Sequence, residues 1–242
     1  MFKDWGSLLA RSVSERLDID LTPEQIEQFC RYGDLLLEWN EKMNLTAITE
    51  PGEVVIKHFV DSLAFRRPVP NSALSGRLVD IGTGAGFPGI PLKIICPQLD
   101  MTLVDSLAKK LNFLENVITE LGLTGIKTLH IRAEEIGRNP DYRENCDIVT
   151  ARAVARLPVL LEYALPVLKV GGLFLAGKGI QVDEEIQEAS RAIETLGGRL
   201  ERVERICLNE QAVHRAVVVV KKIKSTGREY PRRVGVPEKK PL

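Results

Sequence analysis

A glycine-rich passage from an apolar strand into a helix constrains this chain more than anything else in it. The apolar run 77–81 leads directly into Gly82-Thr83-Gly84-Ala85-Gly86-Phe87-Pro88-Gly89, and a helical stretch follows at 89–95. Glycine reaches backbone conformations closed to other residues, and the start of a helix offers free N–H groups to a ligand. Gly84, Gly86 and Gly89 satisfy G-x-G-x-x-G, and Asp105 ends the next strand candidate, about 20 residues downstream, where a ribose-binding acid belongs. A glycine turn alone is compatible with a purely structural bend. With the strand before it, the helix after it and Asp105 beyond, it points to a cofactor containing a nucleoside.

The rest of the chain extends the pattern. Strand candidates at 101–105, 127–131, 147–151 and 172–176 alternate with helical stretches near 89–95, 107–121, 156–168 and 182–197. Such alternation predicts an α/β fold with a mostly parallel, doubly wound sheet of seven strands. The last two strands, about 199–207 and 213–220, have only the polar turn Asn209-Glu210-Gln211 between them, which predicts a closing hairpin with one antiparallel strand. The first seventy residues read as helices. Thr22-Pro23-Glu24-Gln25 is a helix start with a capping hydroxyl, a proline and a reciprocal Gln. Ile26, Phe29, Cys30, Gly33, Leu36 and Leu37 then predict one helix over 23–42, and the stretch after Pro51-Gly52 predicts another over 53–65. The expected organisation is an N-terminal helical module (1–75), a cofactor-binding domain (76–222) and a basic C-terminal tail (223–242). With 242 residues, 44% of them hydrophobic, the chain can bury a core of that size.

The formal charge is zero overall but unevenly placed: residues 1–76 hold eight basic and twelve acidic side chains, residues 221–242 eight basic and two acidic. A basic end on a neutral body suits a local anionic partner, or a solvated, frayed terminus. Cys30, Cys96, Cys146 and Cys207 form no CxxC pair, and His58, His130 and His214 show no ligand spacing, so no metal site is expected. His130 falls in a strand pattern and reads as a core residue. The first residues carry charges through their apolar positions, unlike a secretory signal, and no run of eighteen apolar residues occurs. A cytoplasmic protein without membrane contact is expected.

Asp80 narrows the cofactor. A carboxylate just ahead of the glycine turn would repel a dinucleotide pyrophosphate but suit a ligand bearing an amino group and a sulfonium, as S-adenosylmethionine does. A nicotinamide-dependent oxidoreductase and a non-catalytic nucleotide-binding module remain as alternatives. Asn44-Leu45-Thr46, Asp61-Ser62, the turn from Asp80 to Pro91, Val104-Asp105-Ser106-Leu107, Arg132-Ala133-Glu134, Ala151-Arg152-Ala153, Lys178-Gly179 and Tyr230-Pro231-Arg232-Arg233 together resemble the ribosomal RNA small-subunit methyltransferase G family, over nearly the whole chain. The resemblance implies a Rossmann-like class I methyltransferase that moves a methyl group from S-adenosylmethionine to N7 of one guanine in the decoding-region loop of bacterial 16S ribosomal RNA. A monomer acting on the RNA or the small-subunit particle is expected. Carried over, the resemblance places Gly82 and Phe87 on the methionine and adenosine side of the cofactor, where the charge argument and the glycine turn also put Asp80 and Gly84. Asp105, Ser106 and Leu107 would hold ribose and adenine, Ala133 and Glu134 the adenine edge, and Arg152 the mouth. The residues alone support Asp105, whereas for Glu134 they favour an ordinary helix N-terminal acid, and only the resemblance makes it a cofactor residue.

Thr150-Ala151-Arg152-Ala153, at the end of the fourth strand, contains neither the Asn/Asp-Pro-Pro-aromatic tetrapeptide of enzymes that methylate exocyclic amines nor a cysteine nucleophile. An acceptor that needs no activation fits, and no side chain is expected to act by proton transfer. Three roles are open to Arg152: pairing with the cofactor carboxylate, orienting the guanine, or a structural ion pair. Lys178 would meet an RNA phosphate or solvent. In the tail, Arg228, Arg232 and Arg233, with Lys221, Lys222 and Lys224, are candidates for phosphate contacts, the alternative being a disordered solubilising tail.

Overall fold

A computed structural model of the chain describes residues 3–208 and 214–242. The strands are β1 (Arg77–Ile81), β2 (Asp100–Asp105), β3 (Ile126–His130), β4 (Cys146–Arg152), β5 (Leu168–Gly179), β6 (Gly198–Cys207) and β7 (His214–Lys222). They form one sheet in the order β3-β2-β1-β4-β5-β7-β6. The first five are parallel, and β7 runs antiparallel to both β5 and β6. The expected turn Asn209-Glu210-Gln211 and the expected strand residue Val213 lie outside the described residues.

The helices are α1 (Lys3–Leu17), α2 (Pro23–Met43), α3 (Pro51–Val54), α4 (Asp61–Leu63), α5 (Gly89–Ile95), α6 (Ala108–Glu120), α7 (Ala133–Ile136), α8 (Leu157–Ala164), α9 (Asp183–Glu188), α10 (Ser190–Thr195) and α11 (Val236–Lys239). A π-helical turn, Val55–Val60, joins α3 to α4. At the start of α2, Thr22 accepts from the Gln25 N–H while the Gln25 side chain accepts from the Thr22 N–H, the reciprocal cap that the sequence spells out. The helix expected over 156–168 stops at Ala164, because Pro166 has no N–H to continue it.

Strand residues alternate between two apolar layers, as the period of two in a strand dictates. Leu78, Met101, Leu103, Ile148, Leu175 and Val217 face one layer together with residues of α1, α2, the 54–65 stretch, α5 and α6. Val79, Ile81, Val104, Val149, Phe174 and Val218 face the other, covered by α7 to α10. The N-terminal helices thus share an apolar cluster with one face of the sheet. No described helix is long and apolar enough to cross a membrane.

Candidate active site

In an open parallel sheet the chain turns back at a switch point, and ligands bind beyond the carboxyl ends of the strands there. Here the switch point lies between β1 and β4. The turn after β1 is held from several sides. Gly82, Gly84 and Gly86 all have positive φ. A Cβ on Gly86 would lie 2.7 Å from the Tyr32 hydroxyl oxygen and from Ile90, so this position is closed to side chains on two counts. The Tyr32 hydroxyl, carried by α2, donates to the Ala85 carbonyl at 2.5 Å.

Asp80 is turned inward, under the glycine turn. Its side chain is fully buried, Oδ2 accepts the Gly89 N–H (3.1 Å) and Oδ1 the Thr150 hydroxyl (2.7 Å). Burial raises its pKa to about 6, against the hydrogen bonds that favour its ionised form. The expectation of a direct contact with the cofactor's amino group is therefore corrected: Asp80 fastens the turn to the start of α5 and to β4. The close approach of Gly89 to Asp80 and Leu103, where a Cβ would collide, leaves no room for more between them.

Beyond the turn lies a cleft of about 310 Å³, the lower end of ligand-site size. Gly82, Asp105, Ser106, Leu107, Ala133 and Glu134, all singled out in the sequence, line it, as do Tyr163, Gly235 and Glu238. Gly84 stands at its edge through Asp105, whose Oδ2 accepts the Gly84 N–H (3.0 Å) and whose Oδ1 accepts the Leu107 N–H (2.9 Å). A carboxylate offers about four lone-pair sites, so two remain for ribose hydroxyls. Leu107 is exposed to 45%, an apolar surface at the rim for a purine face. Glu134 is nearly buried and accepts the Gly235 N–H at 3.0 Å.

A second cleft, of about 360 Å³, is lined by Lys57, His58, Asp61, Arg152, Gly177, Lys178 and Arg215, and Ala153 lines both clefts. Ala153 has φ 57°, a conformation that costs a residue with a Cβ energy and that collects at functional sites. Arg152 forms an ion pair, donating to Asp61 Oδ2 at 2.9 Å and to the carbonyl of Lys57 at 3.3 Å, with its guanidinium over the Phe87 ring at 5.1 Å. Phe87 is buried beneath this second cleft, outside the first, and stacks on His58 with ring centroids 4.6 Å apart. Burial, then the Arg152 charge, lowers the His58 pKa to about 4, so the imidazole is neutral near pH 7. Lys178 donates to the Ala155 carbonyl (2.8 Å) and pairs with Glu185 (2.7 Å).

The tail is ordered. Lys222 is fully buried, and the Arg232 guanidinium lies along the Glu162 carboxylate, with contacts of 2.6 to 3.1 Å. Neither is displayed to an RNA phosphate as the charge count suggested, because each neutralises or caps a buried group. Arg228 and Arg233 are exposed. Sequence reasoning passed over Lys57, Arg215, Tyr163, Gly235 and Glu238. None stands in a motif, and they reach the clefts only through topology. Asp61 alone carried a signal, as part of Asp61-Ser62.

The sheet order and the single inverted strand define a Rossmann-like fold of the kind found in methyltransferases, with a nucleoside-sized cleft at its switch point. Two solved structures share this fold: a SAM-dependent methyltransferase from Aquifex aeolicus (TM-score 0.55, 18% identity, covering 74% of this chain and 97% of that one) and TYW2 from P. horikoshii in complex with MeSAdo (TM-score 0.54, 14% identity, 68% and 62%). The chain belongs to the rRNA small subunit methyltransferase G family, whose model matches residues 25–218. Curated relatives named ribosomal RNA small subunit methyltransferase G are 55% identical over 242 residues in Desulfitobacterium hafniense, covering 100% of both chains, and 47% over 236 residues in Desulforamulus reducens, covering 98% of both.

Proposed function

We propose that the protein methylates N7 of a guanine in small-subunit ribosomal RNA, with S-adenosylmethionine in the first cleft and the guanine in the second. The observation that carries this is the meeting of the two clefts at Ala153. A methyl group at the inner end of the first cleft then faces an acceptor in the second, without crossing solvent. Guanine N7 is an unprotonated lone pair. In-line attack forms the N7–CH3 bond as the CH3–S bond breaks, the bond pair staying on sulfur, and no proton moves. The protein's task is alignment, which can be worth about 7 to 11 kcal/mol. Asp105 holds ribose, Leu107 and Ala133 the adenine, and Glu134 the adenine edge. Phe87, with His58 and Arg152 on its ring, forms a stiff floor for the acceptor base.

Lys57 and Arg215 on the rim of the second cleft, with Arg228 and Arg233 of the tail, supply phosphate anchors that position the RNA without reading its sequence, whereas Lys178, nearly buried, is engaged by Glu185 and the Ala155 carbonyl. The substrate, as RNA or assembled particle, places this work in the cytoplasm, and one copy of the chain holds both clefts. Incubation with methyl-labelled S-adenosylmethionine and bacterial small-subunit RNA, naked or in particles, then digestion to nucleosides, tests the reading. Label in 7-methylguanosine is the expected result. Label in another nucleoside overturns the N7 assignment, and no label in RNA of either form overturns the substrate.

A further inference from the structure

One wall of the cofactor cleft comes from no recognisable motif. Gly235 and Glu238, which line it beside Glu134 and Tyr163, belong to the segment after β7. That segment is fastened along its length. The Arg143 guanidinium donates to the carbonyls of Gly137, Thr226, Gly227 and Tyr230, at 2.8 to 3.1 Å. The Thr226 hydroxyl donates to the Leu196 carbonyl at 2.7 Å, and buried Lys222 reaches both the Leu165 carbonyl and the Thr226 hydroxyl. Pro231 packs so closely on Gly137 that a Cβ there would lie 2.9 Å from its ring.

The decisive anchor is Arg232. Glu162, on α8, is fully buried, and a buried carboxylate stays ionised only with a paired cation and hydrogen bonds. Arg232 supplies both, through its guanidinium and through its own backbone N–H at 2.7 Å. Three residues beyond Arg232, the Gly235 N–H holds the Glu134 carboxylate, and one residue beyond Glu162, Tyr163 lines the cleft. The ion pair thus fixes two groups of the cofactor site at once.

We infer that residues 223–242 form a strap that completes the cofactor site, with Gly235 and Glu238 facing the adenosine part of the ligand and Arg232 as a positioning residue acting through Glu162. This rests on the reading of the first cleft as the S-adenosylmethionine site. If the strap belongs to the site, its docking and ligand binding stabilise each other, since coupling between two equilibria is reciprocal.

The test has two arms, both using S-adenosylhomocysteine. In the parent protein, saturating ligand should slow tryptic cleavage after the exposed Arg228 and Arg233 several-fold. In Arg232→Ala, affinity measured by calorimetry should fall at least fivefold, with Arg232→Lys between the two because it keeps the charge and loses the fork. A role confined to folding lowers the melting temperature and leaves affinity and protection unchanged. Unchanged affinity in a folded Arg232→Ala protein, or cleavage of the parent that ignores the ligand, overturns the inference. If Arg232→Ala does not fold, the parent's cleavage rates decide. A parent that binds no S-adenosylhomocysteine overturns the cofactor reading itself and the strap's role with it. A parent that binds with no change in strap cleavage overturns only the latter.

Discussion

Asp105 does with one carboxylate what many nucleotide sites divide among several groups. Its two oxygens accept the N–H groups of Gly84 and Leu107, and Lys110 lies 3.7 Å from Oδ2. It shapes the cleft and keeps lone pairs for the ligand. Asp105→Ala removes charge-assisted contacts to ribose worth about 1.5 to 3 kcal/mol, so affinity for S-adenosylhomocysteine should fall about tenfold or more in a calorimetric titration. Unchanged binding in a folded variant would take Asp105 out of the site. Asp80, although it precedes the same turn, works from beneath. With its folded pKa raised to about 6, the cost of burying its charge is full above that pH and is relieved as pH falls below it. His58 has the opposite sign. Its lowered value of about 4 means that the unfolded chain takes up a proton that the folded one refuses, so this group's contribution to stability is lost as pH falls from about 6.5 toward 4.

Among the elements, α2 links the N-terminal helices to the chemistry. Gln25 donates to the Ile94 carbonyl of α5, Gln28 donates to the Leu121 carbonyl beyond α6, and Tyr32 reaches the glycine turn. Tyr32→Phe leaves the buried Ala85 carbonyl without its donor, at about 1 to 3 kcal/mol. For a chain of this size each kcal/mol is about 2 to 4 °C, so thermal unfolding should shift down by a few degrees or more, with weaker cofactor binding. An unshifted melting curve would show that the bond to Ala85 is dispensable. Much of this level was legible beforehand. The α2 start is written in Thr22 to Gln25, and β1, the glycine turn and α5 follow from local chemistry alone. The second cleft was not legible. Lys57 and Asp61 meet Arg152 across 91 or more positions of sequence, a contact made by the docking of α4 on the sheet and by no local pattern. Asp80 misled because position in sequence does not reveal whether a carboxylate points into a cleft or under a turn.

At the scale of the molecule, the neutral total conceals cations with different duties. Lys222 and Arg232 serve the strap, whereas Arg228 and Arg233 face solvent. Burial lowers the Lys222 pKa to about 8, yet the amine keeps N–H donors in either charge state, so its bonds to Leu165 and Thr226 survive mild alkali. Changing Arg228 and Arg233 together to Ala should reduce the slope of log RNA affinity against log salt by about 1.4 to 1.8 if each contacts a phosphate, while S-adenosylhomocysteine binding stays intact. Filter binding at several salt concentrations with an unchanged slope would move the RNA surface to Lys57 and Arg215. The central claim is that two joined clefts suffice for methyl transfer by alignment, with no proton transferred. Single-turnover methylation of small-subunit RNA, with cofactor and RNA saturating, tests it most directly between pH 7 and pH 8.5. His58 is neutral throughout that range and the acceptor N7 carries no proton, so the rate should stay nearly flat. A steep single-proton rise would contradict the account, because it would require a general base that an alignment mechanism does without.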